Sequence, residues 1–91
     1  MRIVLIGQAA FGAKVLETLL KKGENIVAVY APPDKPTGRP DPLKELAISK
    51  NIPVFQPKTY KDDQIFNEFK EFNQDLTVMA FVTDIIPARF F

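Results

Sequence analysis

The residue types that carry most enzyme chemistry are missing from this sequence. Its 91 residues include no Cys and no His. This excludes thiol nucleophiles, thiolate or imidazole metal sites and the commonest general base. We therefore expect a binding domain, or part of an enzyme whose reacting groups lie elsewhere.

The segment from Gly7 to Gly12 is the first candidate binding element. It follows an apolar run and opens a helical pattern, which is the position of a dinucleotide-binding turn. Such a turn needs glycine at its second site, where the backbone approaches a pyrophosphate, but Ala9 stands there. Asp34 follows about 20 residues later, the distance at which a ribose-binding acid belongs. A nucleotide- or dinucleotide-binding module is therefore the alternative reading, while a sharp turn at Gly7 and close helix–strand packing at Gly12 explain the glycines without a ligand.

Charged residues supply two further candidates. Lys35, Arg39 and Lys44 cluster near a proline-rich stretch and could meet a phosphate, although solvated lysines are commoner. Asp84 follows an apolar strand, at the edge of the sheet where open α/β folds bind ligands, or it simply forms a turn. The net charge is only +1, which disfavours a strongly basic nucleic-acid module.

Strands and helices that alternate along the chain must position these residues. Apolar runs at 3–6, 26–30, 53–55 and 75–81 predict four strands, and helical spacing of apolar residues predicts a helix between each pair. Asp41-Pro42 predicts the start of the second helix, and a capping box from Thr59 to Asp62 predicts the start of the third. Lys21 to Gly23 and Asn51 predict helix ends.

This alternation predicts an α/β fold in one domain, residues 1–91. We expect an open, Rossmann-like, mostly parallel sheet of order 3-2-1-4 with helices on both faces. Strand four would be an unguarded edge, and Phe90 and Phe91 after it are expected to be exposed. We therefore expect a domain truncated at strand four that associates with itself through this edge. No metal site, membrane span or signal peptide is expected, so the expected location is the cytoplasm.

Several segments together resemble the 10-formyltetrahydrofolate-dependent formyltransferases. This family includes enzymes that formylate methionyl-tRNA and the hydrolase domain of 10-formyltetrahydrofolate dehydrogenase. The resemblance spans nearly the whole chain in order, and the segments that carry it are RIVLIG and FG within 2–12, VAVY and PDK within 27–35, DPL at 41–43, IPVFQP at 52–57, and DLTVMAF and IIP within 75–87.

The resemblance implies that the chain is the N-terminal part of such a domain and binds the folate donor, 10-formyltetrahydrofolate. The loop after strand four would form the folate slot together with Phe81 at the end of that strand, with Asp84, Ile85 and Ile86 in contact with the folate. The family's catalytic Asn, His and Asp are not in this chain, so no catalytic residue is implied and the chain alone is expected to be inactive.

The resemblance also implies a formyl acceptor. The proline-rich loop, residues 32–42, resembles the segment that contacts initiator tRNA, which would make Arg39 a substrate-binding residue. A sugar nucleotide or water remains open as the acceptor.

Overall fold

The computed structural model describes residues 1–36, 38–80, 82 and 86–90. Within these residues the chain forms an α/β fold with one four-stranded sheet. None of the described helices has the length and the apolar character that crossing a membrane requires.

The sheet is parallel throughout its described pairings. Its strands are β1 (Arg2–Gly7), β2 (Asn25–Tyr30), β3 (Val54–Phe55) and β4 (Leu76–Ala80). They lie in the order β3-β2-β1-β4, and each pairs in parallel with its neighbour. The predicted fold class and strand order are therefore confirmed.

The central strand explains why the sheet forms where the sequence predicts it. β1 lies between β2 and β4, and the side chains of Ile3 to Ile6 are at most 2% exposed. A strand covered on both faces cannot alternate between apolar and polar residues, because each face needs apolar side chains. The unbroken Ile-Val-Leu-Ile run meets that need.

Helices cover both faces of the sheet. The helix α1 (Ala9–Lys21) and the helix α2 (Pro42–Ser49) pack on one face through a cluster that includes Leu16 and Leu43. The helix α3 (Asp63–Lys70) packs on the other face through Phe69. The predicted arrangement of helices on both faces is confirmed.

The ends of the first two helices follow the sequence signals. Asp41 caps α2 with Pro42 at its first turn. Gly23 after α1 and Asn51 after α2 have φ angles of +80° and +59°, the left-handed backbone that favours Gly and Asn at helix ends.

The predicted start of α3 is wrong. The cap is Asp62, whose carboxylate accepts a hydrogen bond from the amide of Gln64 at 2.8 Å. The Thr59 hydroxyl instead accepts from the amide of Lys61 at 3.2 Å and forms a turn before the helix. Because Asp is itself a strong N-cap, it begins the helix rather than reaching back to an earlier cap.

The expectation that Phe90 is exposed is also wrong. Phe90 is 1% exposed, and its ring centroid lies 4.8 Å from that of Phe69. A 3-10 helix, Ala88–Phe90, places it there. Next to it the guanidinium of Arg89 lies 4.4 Å from the centroid of the Phe66 ring. The segment after β4 therefore contributes to the core, while Phe91 lies outside the described residues.

Close approach requires glycine at position 7 and favours it at position 12. A Cβ at Gly7 would lie 2.7 Å from the carbonyl oxygen of Ala80, so the end of β1 can pair with β4 only without a side chain. A Cβ at Gly12 would lie 3.2 Å from Leu43 Cδ2, so this glycine mainly brings α1 close to α2. Close packing therefore explains Gly12 as expected, but its main packing partner is the helix α2 rather than a strand.

Tyr30→Phe is expected to leave the free energy of unfolding unchanged or to raise it by up to about 2 kcal/mol in urea denaturation. The Tyr30 hydroxyl is buried without a hydrogen-bond partner among the described residues, and an unpaired buried polar group costs about 1–3 kcal/mol. A loss of more than 1 kcal/mol, on the same principle, would show that the hydroxyl has a partner.

The variant Tyr30→Phe also tests how the stability of the fold changes at alkaline pH. Burial, with a smaller contribution from the Glu68 charge, raises the pKa of Tyr30 from 10.0 to about 12. The unfolded chain therefore ionises first, and the wild type loses stability as the pH rises from 10 towards 12. Tyr30→Phe should lack this part of the alkaline loss.

Candidate ligand site at the carboxyl edge of the sheet

The strand order reverses at the carboxyl ends of β1 and β4, the place where open α/β sheets have their ligand-binding crevice. The chain leaves β1 towards β2 on one side and returns to place β4 on the other. Open α/β sheets bind ligands outside the carboxyl ends of the strands at such a reversal. Here Gly7 pairs with Ala80, and the amide of Gln8 donates to the Ala80 carbonyl at 3.3 Å.

The predicted folate residues come after β4 in the sequence. Phe81, Asp84 and Ile85 lie outside the described residues. Ile86 is described, and it packs, half-buried, against the aromatic cluster on the α3 face. A role for these four residues stays a prediction.

A cavity of about 620 Å³ opens at the carboxyl edge of the sheet. It is enclosed by the starts of α1 and α2 and by the proline-rich loop, and Arg39 and Lys35 line it together with Glu45. The structure therefore places Arg39, the predicted substrate-binding residue, in the lining of a cavity at the carboxyl edge of the sheet.

Asp41 holds this edge together. Its carboxylate accepts hydrogen bonds from the amide of Ala9, at 3.0 Å to Oδ1 and 2.8 Å to Oδ2, and from the amide of Leu43 at 2.9 Å. One side chain thus caps α2 and satisfies the first amide of α1. The contact to Ala9 fixes a strained backbone, because Ala9 has a φ angle of +62°, which costs a residue with a Cβ about 1–2 kcal/mol.

The sequence gives no signal for the contact between Asp41 and α1. Asp41 and Ala9 are 32 positions apart in the sequence. The role of Asp41 as the cap of α2 is enough to explain why an Asp stands there. The contact bears directly on the dinucleotide alternative. A pyrophosphate binds to the free amides at the N-terminus of the first helix, and here a carboxylate of the protein already accepts from one of them. This arrangement disfavours that alternative.

Asp34 is also engaged within the protein. Its carboxylate accepts hydrogen bonds from Lys44 Nζ at 2.5 Å and from Gln56 Nε2 at 2.9 Å. These bonds, that of Lys44 first, hold the pKa of Asp34 below its usual value. Because both carboxylate oxygens of Asp34 already accept hydrogen bonds within the protein, the structure disfavours Asp34 as a ribose-binding acid.

The three clustered cations, Lys35, Arg39 and Lys44, therefore differ in whether they are paired with a carboxylate. Lys44 is paired with Asp34, and its side chain is 19% exposed. Lys35 and Arg39 are exposed and make no ion pair or side-chain hydrogen bond within the described part of the chain. The described residues contain no group of three or more His, Cys, Asp or Glu that could hold a metal ion. What this edge offers chemically is binding by apolar walls, two free cations and the free carboxylate of Glu45.

Comparison with known proteins identifies relatives of the whole chain. It is 40% identical over 92 residues to methionyl-tRNA formyltransferase of Alkaliphilus oremlandii and 41% identical over 92 residues to that of Stutzerimonas stutzeri, with 96% of the chain covered in each case. This chain is homologous to the N-terminal part of methionyl-tRNA formyltransferases. The predicted resemblance is thereby confirmed. The chain spans only 30% and 29% of the length of these two relatives.

A solved structure shows the same fold. Phosphoribosylglycinamide formyltransferase from Bacillus halodurans matches 99% of the chain and 50% of its own length, with a TM-score of 0.69 and 19% identity. At this identity the match establishes the fold alone. No family model matches the chain.

Asp41→Ala is expected to lower the free energy of unfolding by about 2–4 kcal/mol, measured in urea. The variant loses the cap of α2, worth about 1 kcal/mol, and leaves the amide of Ala9 without its acceptor, which costs about 1–3 kcal/mol.

Asp62→Ala is the matched control, because Asp62 caps α3 through a single hydrogen bond to Gln64. We expect it to cost only about 1 kcal/mol. Equal losses in the two variants would show that the bond between Asp41 and Ala9 contributes nothing.

Proposed function

We propose that this chain is the folate-binding N-terminal part of an enzyme that transfers a formyl group from 10-formyltetrahydrofolate to the amine of methionyl-tRNA. The observation that carries this is 40% identity to a methionyl-tRNA formyltransferase over 96% of the chain. In the reaction, the amine nitrogen attacks the formyl carbon, the bond from that carbon to the folate nitrogen breaks, and one proton passes from the amine to the departing folate nitrogen.

The groups that stabilise the tetrahedral oxyanion and move the proton are not assigned to this chain. Formyl transfer requires donors aimed at the oxyanion and a base for the proton. The chain has no His, the commonest general base. Its proposed role is to hold the donor, so the chain alone is expected to be inactive.

The loop after β4 is the proposed folate site. A flat pteridine ring needs an apolar slot with a few polar groups at its rim. The segment from Phe81 to Ile86 contains both kinds of residue and follows a strand at the point where the sheet reverses its order. Asp84, Ile85 and Ile86 are the proposed contacts.

The proline-rich loop is the proposed contact for the acceptor. Lys35 and Arg39 are unpaired within the described residues and line the cavity at the carboxyl edge of the sheet. Free cations at the mouth of a cavity favour the phosphates of an acceptor stem. A sugar nucleotide would use the same cations, and the names of the relatives favour tRNA.

Titration with a folate analogue is expected to shift amide resonances at the end of β4 and in residues 81–86, and to spare Gly7 to Gly12. Binding should be weak, because this chain supplies one loop of the slot, and each 100 Å² of missing apolar contact costs about 2.5 kcal/mol. NAD is the matched control, and we expect it to leave both segments unchanged. Folate shifts centred on Gly7 to Gly12, or tight NAD binding there, would contradict the proposal.

We also propose that copies of this chain associate through the outer edge of β4. The strand has no charged residue between Leu76 and Ala80, and Leu76 is 46% exposed. Edges without charges or prolines pair readily with other strands. The cytoplasmic location remains a prediction.

Leu76→Lys is expected to shift the chain from dimers towards monomers in sedimentation at micromolar concentration, because a lysine at an edge opposes strand pairing. Ile48→Lys is the control, since Ile48 on α2 is similarly exposed, at 56%, but lies away from the edge. A monomeric wild type would overturn the proposed association.

A further inference from the structure

The proline-rich loop is held by side chains rather than by its own backbone. Among the described residues, no backbone group from 32 to 40 is hydrogen-bonded to another backbone group. The anchors are two carboxylates, Asp34 at the start of the loop and Asp41 at its end. The free cations, Lys35 and Arg39, lie between these anchors in the sequence.

The first anchor is built from three different parts of the chain. Asp34 accepts from Lys44, which belongs to α2, and from Gln56, which follows β3. The same Gln56 nitrogen donates to the carbonyl oxygen of Pro32 at 3.0 Å. The loop is thereby attached to both elements that flank it.

We propose that Asp34 is a positioning residue for RNA binding, which holds the loop so that Lys35 and Arg39 stand as free cations at the mouth of the cavity. This inference rests on the proposed binding of tRNA through the loop. A flexible loop that orders only on binding reduces affinity by the free energy of ordering it, and the anchor removes that penalty in advance.

The sign of the charge separates this role from simple electrostatics. Asp34 is an anion close to the cations that would meet phosphates, so its carboxylate taken alone repels RNA. Replacing it with Asn removes a negative charge and releases Lys44 from its ion pair. Electrostatics alone therefore predicts tighter RNA binding by Asp34→Asn, whereas a positioning role predicts weaker binding.

Glu45 provides the matched control. It lines the same cavity, and its side chain makes no hydrogen bond or ion pair with the described residues. Glu45→Gln removes one negative charge from the cavity without removing an anchor, so it reports the effect of charge alone.

The experiment measures binding of the chain to a fluorescein-labelled RNA hairpin that carries an initiator acceptor stem, by anisotropy at several salt concentrations. We expect Asp34→Asn to weaken binding about fivefold with an unchanged salt slope, because the same phosphates are contacted once the loop has ordered. We expect Glu45→Gln to tighten binding up to about threefold, by charge alone. Arg39→Gln should weaken binding and reduce the magnitude of the salt slope by about 0.7–0.9, which is one phosphate contact.

A second measurement reports the loop without RNA. The ¹⁵N heteronuclear NOE of Lys35, Gly38 and Arg39 should be close to that of the helices in the wild type and in Glu45→Gln, and should fall in Asp34→Asn. Unfolding in urea of all variants identifies any loss that comes from the whole fold.

The possible results distinguish the positioning role of Asp34 from the proposed tRNA contact. If Asp34→Asn binds RNA as tightly as the wild type or tighter, or if its loop NOE values do not fall, the positioning role is overturned while tRNA binding stands. If the wild type does not bind the hairpin, or if Arg39→Gln binds equally well, the proposed tRNA contact fails. The NOE values then decide by themselves whether Asp34 orders the loop.

Discussion

The carboxyl edge of the sheet depends on one carboxylate that serves two helices. Asp41 begins α2 and at the same time accepts from the first amide of α1. Without it, the strained backbone at Ala9 would carry an unpaired amide at the end of the central strand. Because Gly7 and Gly12 also remove side chains at this point, the end of β1, the starts of two helices and the end of β4 converge with little free space. The geometry of this edge follows from this contact.

The architecture was predictable from sequence because local patterns determine it. A β-branched run without polar interruption indicates a strand buried on both faces, and parallel strands joined by helices have one preferred handedness. The cap at Asp41 and the left-handed Asn51 were predictable for the same reason, since each involves only neighbouring residues. Thr59 shows the limit of such local patterns. Both Thr59 and Asp62 have side chains that can cap the start of α3, and the sequence pattern does not say which of them does.

The contacts that define the site were not predictable, because they join distant residues whose types have simpler explanations. Asp34 matched a ribose-binding acid and Lys44 a phosphate-binding cation, and only the fold shows that they neutralise each other. Phe90 looked exposed because the residues after β4 offered no helical or strand pattern. Its place in the aromatic cluster depends on the turn of a 3-10 helix and on the space beside Phe69. The predicted folate contact at Ile85 follows from the resemblance alone, while Asp84 is indicated also by its position after an apolar strand.

The carboxylates of Asp41 and Asp34 neutralise positive charge at one part of the sheet edge and leave it free at another. Asp41 neutralises the helix N-terminus, where Rossmann-like proteins usually receive a phosphate, so an anionic ligand gains little there. Asp34 neutralises Lys44, which leaves the positive charge of the loop on Lys35 and Arg39 at the cavity mouth. In the proposed function, an anionic acceptor would therefore meet Lys35 and Arg39 rather than the helix N-terminus. In that proposed function, the uncharged part of a donor such as a pteridine would lie outside the carboxyl ends of β1 and β4, so the donor and the acceptor would not compete for the same charges.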